Sequence, residues 1–125
     1  MKHRVVWFKE LVAGIPVGAG ELAEDTLNAW DLAEVLRLEF GINMEAYVPV
    51  VDSLDELDPA DLCSPERALE IVSAERLDAI RDLTVKIKDR YGMPREVKGS
   101  EVASWLESYR ELWRQGYSVV RTASE

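Results

Sequence analysis

The sequence predicts a mainly α-helical protein of four to five helices, and three observations support this fold class. Apolar residues recur at spacings of three and four over long stretches, which is the period of an amphipathic helix. Residues typical of helix starts and stops flank these stretches. The apolar segments that remain are short. They leave open an α+β alternative, in which the N-terminal segment, the C-terminal segment and residues 46–51 form a small edge sheet.

The N-terminal region divides into an ambiguous segment and a loop. Residues 4–12 fit helical spacing, but the Val-Val-Trp-Phe cluster within them also favours a short strand. An irregular loop is predicted next, because glycine and proline interrupt any regular pattern. The residues that mark this loop are Gly14, Pro16, Gly18 and Gly20.

The first clear helix is predicted from residue 25 or 26 to Phe40, and Gly41 is its C-terminal stop. Its apolar residues cover a wide arc of the helical wheel, which predicts a helix packed on more than one side. The opposite edge is predicted to be acidic and to face water or a partner. The acidic residues of this edge are Glu24, Asp31 and Glu39.

Two connecting segments follow this helix. Residues 46–51 read as a short extended piece, and Pro49 confines it to a sheet edge or a bulge. Residues 52–61 are predicted to form an acidic, turn-rich connection with at most one helical turn.

The C-terminal half begins with two predicted helices. Ser64 is a favourable N-cap and Pro65 a favourable first helical residue, so one helix is predicted over 65–72. Ser73 caps the next helix, whose apolar repeat continues to Tyr91.

The last helix is predicted from a cap at Ser100 to a stop at Gly116, and a closing strand is predicted over 117–122. Its apolar stripe contains Trp105, Tyr109 and Trp113. We interpret this stripe as core, because aromatic residues at helical spacing are more often buried than exposed. The alternative is an oligomeric assembly adaptor that associates through this helix.

Charge is the most informative feature of the composition. The chain has 125 residues, a length that predicts a single compact domain, and its net charge is −9. Twelve acidic residues and a single basic one give residues 21–62 a net charge of −11, whereas residues 63–125 are neutral. An acidic chain disfavours direct binding to nucleic acid through a basic patch. It also has no apolar run long enough to span a membrane.

The acidic sub-region predicts a binding surface for a basic protein partner. We expect a small non-enzymatic inhibitor of the immunity, antitoxin or phage anti-defence type, which mimics nucleic acid and covers a basic surface of a nuclease or another nucleic-acid-binding complex. A carboxylate- or metal-dependent enzyme is a further alternative. The predicted partner-binding residues are Glu34, Glu39, Glu45, Tyr47, Asp52, Asp55, Glu56, Asp58 and Asp61.

Two motifs suggest ligand binding only weakly. The stretch from Gly18 to Ala23 matches a nucleotide-binding fingerprint, but no strand is predicted before it and acidic residues surround it. Aspartates at 52, 55, 58 and 61 lack the ligand spacing of a calcium loop. We therefore expect neither a cofactor nor a metal site.

Cys63 and His3 could in principle form a nucleophile pair, but nearby aspartates disfavour a reactive thiol. Cys63 is the single cysteine, and a charged pair at residues 9–10 ends the apolar N-terminal run too early for a secretory signal. Both observations predict a cytoplasmic protein.

Overall fold

The computed structural model describes residues 2–55 and 57–123. It shows a mixed α/β fold that is 44% helical and 29% strand, so the prediction of a mainly α protein was wrong. The strands are β1 (Lys2–Phe8), β2 (Glu10–Val12), β3 (Ile15–Val17), β4 (Gly20–Asp25), β5 (Val50–Val51), β6 (Thr84–Lys88), β7 (Pro94–Lys98) and β8 (Ser118–Ala123). The helices are α1 (Thr26–Phe40), α2 (Pro65–Ile71), α3 (Ala74–Arg81) and α4 (Gly99–Arg114).

A four-stranded sheet in the order β4-β1-β8-β5 organises the fold. The terminal strands pair antiparallel, with Val5 opposite Arg121 and Arg4 opposite Thr122. Strand β5 joins the edge of β8 in parallel. Of residues 46–51, only Val50–Val51 form a strand, because a 3-10 turn and Pro49 occupy the preceding positions.

The two faces of this sheet are covered by different parts of the chain. Side chains alternate along β1, so Val5 contributes to a core shared with α1 and α4. Val6 and Phe8 face the opposite way, where leucines from the acidic connection cover them. The acidic connection is therefore a packed layer of the fold.

The structure replaces the predicted N-terminal loop by strands. Residues 10–17 form the hairpin β2–β3, which turns at Ala13 and Gly14, both with positive φ. Gly20 begins β4 opposite Trp7, and a Cβ atom at Gly20 would lie 2.5 Å from the Trp7 indole. Glycine is required at residue 20 because the indole covers the strand there. The nucleotide-binding fingerprint needs a helix directly after its glycines, and β4 follows Gly18 instead, so the segment does not have the fingerprint's structure.

Helix α3 ends at Arg81, ten residues before the predicted end at Tyr91. Residues 84–88 instead alternate, with Val85 and Ile87 buried and their neighbours exposed, and they pair with β7 in a second hairpin. Gly92, the residue after the predicted end of this helix, lies in the hairpin turn with φ of 79°. The apolar residues of this segment alternate with a period of two, so the prediction that the helix continues to Tyr91 was wrong.

The other helix boundaries follow the predictions with one exception. Gly41 ends α1 in the left-handed conformation, and the side chains of Ser64 and Ser73 cap α2 and α3. Helix α4, however, begins at Gly99 rather than after Ser100. A side chain at Gly99 would collide with the backbone carbonyl of Ile80, so close packing of α3 on α4 sets this boundary.

The aromatic stripe of α4 is core, as predicted. Tyr109 and Trp113 are buried, and Trp105 packs edge-on against Tyr109 with ring centroids 5.4 Å apart. The stripe packs inside the molecule, where it offers little surface for an oligomer interface.

Candidate functional site

The predicted partner-binding residues lie on two faces of the four-stranded sheet. Asp52 and Asp55 line a shallow hollow of about 250 Å³ together with Thr122. Glu34 and Glu45 line a separate cavity on the face covered by α1. The remaining residues are scattered: Glu39 is exposed on α1, Tyr47 is half-buried against the core, Asp58 and Asp61 are exposed, and Glu56 lies outside the described residues.

We call four exposed aspartates of the connection, Asp52, Asp55, Asp58 and Asp61, the acidic surface. Leucines among and directly after them hold the backbone in place: Leu57 is buried against the sheet, and Leu54 and Leu62 pack beside it. The Asp58 side chain accepts a hydrogen bond from the backbone N–H of Ala60 at 2.9 Å, which fixes the turn that follows. These carboxylates are therefore carried by an anchored segment.

No ion pair within residues 2–55 and 57–123 involves a carboxylate of the acidic surface. The nearest cation along the hollow is Arg4, which pairs with Glu21 at 3.2 Å. The negative charge of the acidic surface is thus not balanced within this part of the chain.

An exposed apolar strip lies next to the acidic surface. The backbone N–H of Leu57 donates to the carbonyl of Gly14 at 2.8 Å, which ties the connection to the turn of hairpin β2–β3. On the outward face of that hairpin, apolar side chains are about half exposed to solvent. They are Val12 (57%), Ile15 (52%) and Val17 (45%). Exposed apolar surface bordered by charge is typical of protein-binding sites.

The cavity beside α1 has a volume of about 180 Å³ and contains a buried cation. Arg121 lines it and is only 5% exposed. Its Nη2 donates to the carbonyl of Val48 at 3.3 Å, and its Nη1 lies 3.9 Å from Glu24 Oε1. Its Nε–H has no hydrogen-bond partner among the described residues.

Two further polar groups of the same cavity lack partners within the described chain, His3 Nδ1 and Thr26 Oγ1. Burial lowers the pKa of His3, and the charge of Arg121 lowers it further, against an opposing effect of Glu24. His3 is therefore a neutral imidazole at pH 7.

Beneath Arg121, Glu24 is the acceptor of a buried network. The Tyr109 hydroxyl and the Trp105 indole N–H donate to Glu24 Oε2 at 2.6 and 2.8 Å. Burial raises the pKa of Tyr109 well above its ordinary value, and the negative charge of Glu24 adds to this effect. Glu24 was predicted to face water or a partner, and this prediction was wrong, because residue 24 lies in β4 and its side chain faces α4.

Asp31 was also predicted to face water or a partner, and it is buried at 2% exposure. Arg95 of β7 lies over it, with Nη1 2.6 Å from Asp31 Oδ2. Burial raises the pKa of Asp31, and the opposing charge of Arg95 lowers it. The wide arc of α1 brings this helix against both the sheet and the second hairpin, so its acidic edge is partly enclosed.

The sequence suggested His3 only as a partner of Cys63, and it did not single out Thr26 or Arg121 as functional candidates. The signal available was alternation in the closing strand, which places Arg121 on the same face as Val119. The position of Arg121 beside His3 follows only from the pairing of β8 with the N-terminal strand β1.

Cys63 does not have the surroundings of a nucleophile. Its thiol donates to the carbonyl of Ser64 at 3.5 Å, and burial raises its pKa despite the nearby charge of Arg67. Within residues 2–55 and 57–123, no three of the His, Cys, Asp and Glu residues are grouped as a metal site would require. No described helix combines the length and apolar character needed to cross a bilayer.

Comparison with protein families, with curated proteins and with solved structures finds no match to this chain.

Proposed function

We propose that this protein is a small, acidic, non-enzymatic inhibitor that covers a basic, nucleic-acid-binding surface of a partner protein. The acidic surface together with hairpin β2–β3 forms the docking site. The observation that carries the proposal is the anchored set of unpaired carboxylates beside an exposed apolar strip. Partners of this chemistry are nucleases and nucleic-acid-binding complexes, and the encounter takes place in the cytoplasm.

The two components of the docking site have different physical roles. Carboxylates occupy positions that phosphates would take in the partner's groove, and their field accelerates encounter with a positive surface. Burial of Val12, Ile15 and Val17 supplies apolar contact, which does not weaken as salt rises. A partner evolved for nucleic acid is therefore bound by charge and retained by apolar packing.

The test uses a charge-reversed variant and a matched control. The variant carries Asp52→Lys, Asp55→Lys and Asp61→Lys, and it leaves Asp58 in place because that residue caps a turn. The control carries the same charge change at exposed acidic positions elsewhere, namely Glu70→Lys, Asp82→Lys and Glu96→Lys. Wild type, variant and control are each crosslinked to their partners in cells, and the partners are captured and identified. Each partner is then purified, and its affinity for the three proteins is measured across a salt series.

The proposal expects a basic nucleic-acid-binding protein that binds wild type and control alike. Its affinity for the charge-reversed variant should fall at least about tenfold, and wild-type affinity should fall as salt rises. The proposal is wrong if the partner's affinity is the same for all three proteins, or if it is indifferent to salt. Inhibition of the partner's nucleic-acid binding by wild type separates an inhibitor from a simple adaptor.

A further inference from the structure

The cavity beside α1 is a second candidate site, distinct from the docking site and independent of the proposed function. Arg121 and His3 line it from the helix-covered face of the four-stranded sheet, whereas the acidic surface lies over the opposite face. The cavity also has apolar walls, which include Trp30, Ile42 and Met44.

Two polar groups of this cavity can donate hydrogen bonds to an anion. A guanidinium Nε–H can only donate, and that of Arg121 is buried without a partner in the described residues. The Thr26 hydroxyl, which is also unpartnered, can donate as well. A buried donor without an acceptor is costly, so a ligand that accepts from both groups is strongly favoured.

The carboxylate beside Arg121 does not form a hydrogen bond with it. Glu24 Oε1 lies 3.9 Å from Arg121 Nη1 and has no hydrogen-bond partner among the described residues, whereas two aromatic donors engage Glu24 Oε2. On the cavity wall, Glu34 forms an ion pair with Arg37, so its negative charge is balanced locally. Glu45 is exposed at the rim.

The size of the cavity limits the ligand. A cavity of about 150 Å³ lined by apolar side chains holds a benzene molecule. The volume of about 180 Å³ beside α1 therefore suits a compact ligand that is slightly larger than benzene. It is too small for a nucleotide or a drug-sized molecule.

We propose that this cavity binds a small organic carboxylate with a compact apolar body. The carboxylate accepts hydrogen bonds from Arg121 Nε and Thr26 Oγ1, and the apolar body lies against Trp30, Ile42 and Met44. A simple carboxylic acid and a free apolar amino acid both offer this chemistry, and the amino acid would also place its ammonium group near Glu45.

The experiment is a titration followed by two-dimensional NMR, with 4-methylpentanoate, leucine and the neutral amide 4-methylpentanamide as probes. The chain has four tryptophans, and their indole N–H signals are assigned by single Trp→Phe variants. The proposal expects saturable shifts of the Trp30 indole and of backbone amides around Ala29 and Ala33. The indole of Trp113, which is buried in the core, should not shift. Stronger binding of leucine than of 4-methylpentanoate identifies the amino acid as the source.

Variants separate this site from general surface binding. Thr26→Val should weaken carboxylate binding about tenfold, since it removes a hydrogen bond to a charged group. Ala33→Leu should block the cavity without removing a polar group. Thr122→Val is the matched control, because Thr122 follows Arg121 in β8 but lines the hollow on the other face.

Three results would overturn the proposal. The first is the absence of saturable shifts with either carboxylate at about 10 mM, because a dissociation constant above this concentration is too weak for a built site. The second is equal binding of 4-methylpentanamide, which would show that charge is not recognised. The third is unchanged binding in both Thr26→Val and Ala33→Leu, which would place the carboxylate elsewhere and leave the cavity as a hydration site.

Discussion

The Tyr109 hydroxyl donates a 2.6 Å hydrogen bond to Glu24, a residue 85 positions earlier in the chain. This contact joins the centre of α4 to β4, the outer strand of the four-stranded sheet. Glu24 in turn lies beside Arg121 of β8, so three distant segments meet at one carboxylate. The negative charge of residue 24 is part of the interior, not of the acidic surface.

Tyr109→Phe is expected to lower the free energy of unfolding by about 1.5–3 kcal/mol, because it removes a hydrogen bond to a charged acceptor that stays buried. Trp105 then remains as a donor to Glu24. Urea unfolding measures the change. Tyr117→Phe is the matched control: its ring packs under Lys9, and phenylalanine keeps that ring. Equal losses in the two variants would contradict a special role for the Tyr109 hydroxyl.

Ser73→Ala is expected to cost about 1 kcal/mol, because the Ser73 side chain accepts a hydrogen bond from the Arg76 N–H at the start of α3. Ser100→Ala is expected to cost less than about 0.5 kcal/mol, since Ser100 lies inside the first turn of α4 and is exposed. The ratio of these two losses in thermal or urea unfolding distinguishes the observed helix boundary from the predicted one. A larger loss of stability for Ser100→Ala than for Ser73→Ala would indicate that Ser100 caps α4, as the sequence predicted.

Much of the helical part of the fold could be predicted from the sequence, because its signals are local. Ser64 with Pro65, and Gly41 after Phe40, act through bonds to their near neighbours. The sheet could not be predicted in the same way. Whether residues 4–8 form a helix or a strand depends on pairing with residues 118–122, more than 100 positions away.

The acidic connection shows the same limit at the level of a site. The sequence shows the spacing of the aspartates, but it does not indicate that the neighbouring leucines anchor this segment to the sheet. Leu57 becomes an anchor only because β1 and β8 present Val6 and Val120 to it. Likewise, the cavity around Arg121 is lined by β1, α1, the turn after α1, β5 and β8, which no local pattern links.

Arg95→Ala is expected to lower the free energy of unfolding by about 2 kcal/mol, because it leaves Asp31 buried without its cation. This value is below that for a fully buried pair, since Arg95 itself is 45% exposed and partly screened. Arg81→Ala is the control, because its ion pairs with Asp78 and Glu107 are exposed at both ends and should together contribute at most about 1 kcal/mol. Adding Asp31→Asn to Arg95→Ala should recover much of the loss, and a double variant no more stable than Arg95→Ala would refute the unpaired-charge explanation.

His3 is expected to make folding stability depend on pH. Burial and the charge of Arg121 lower the pKa of His3 in the folded protein from its ordinary value of 6.5. Below that value the unfolded chain binds the His3 proton more readily than the folded protein does. The contribution of His3 to stability is therefore fully present above about pH 6.5, and it is lost as pH falls toward the folded-state pKa.

His3→Gln should remove this dependence while it keeps a polar side chain in the cavity. Urea unfolding of wild type and His3→Gln between about pH 5 and pH 8 should give stability curves that converge or cross on the acid side, since only wild type carries the titrating group. The difference in slope is at most about 1.4 kcal/mol per pH unit, which is the value for one proton. Other titrating groups are common to both proteins and cancel in the comparison. Parallel curves across this range would show that the cavity does not disfavour the protonated imidazole, and that the charge of Arg121 does not act on His3.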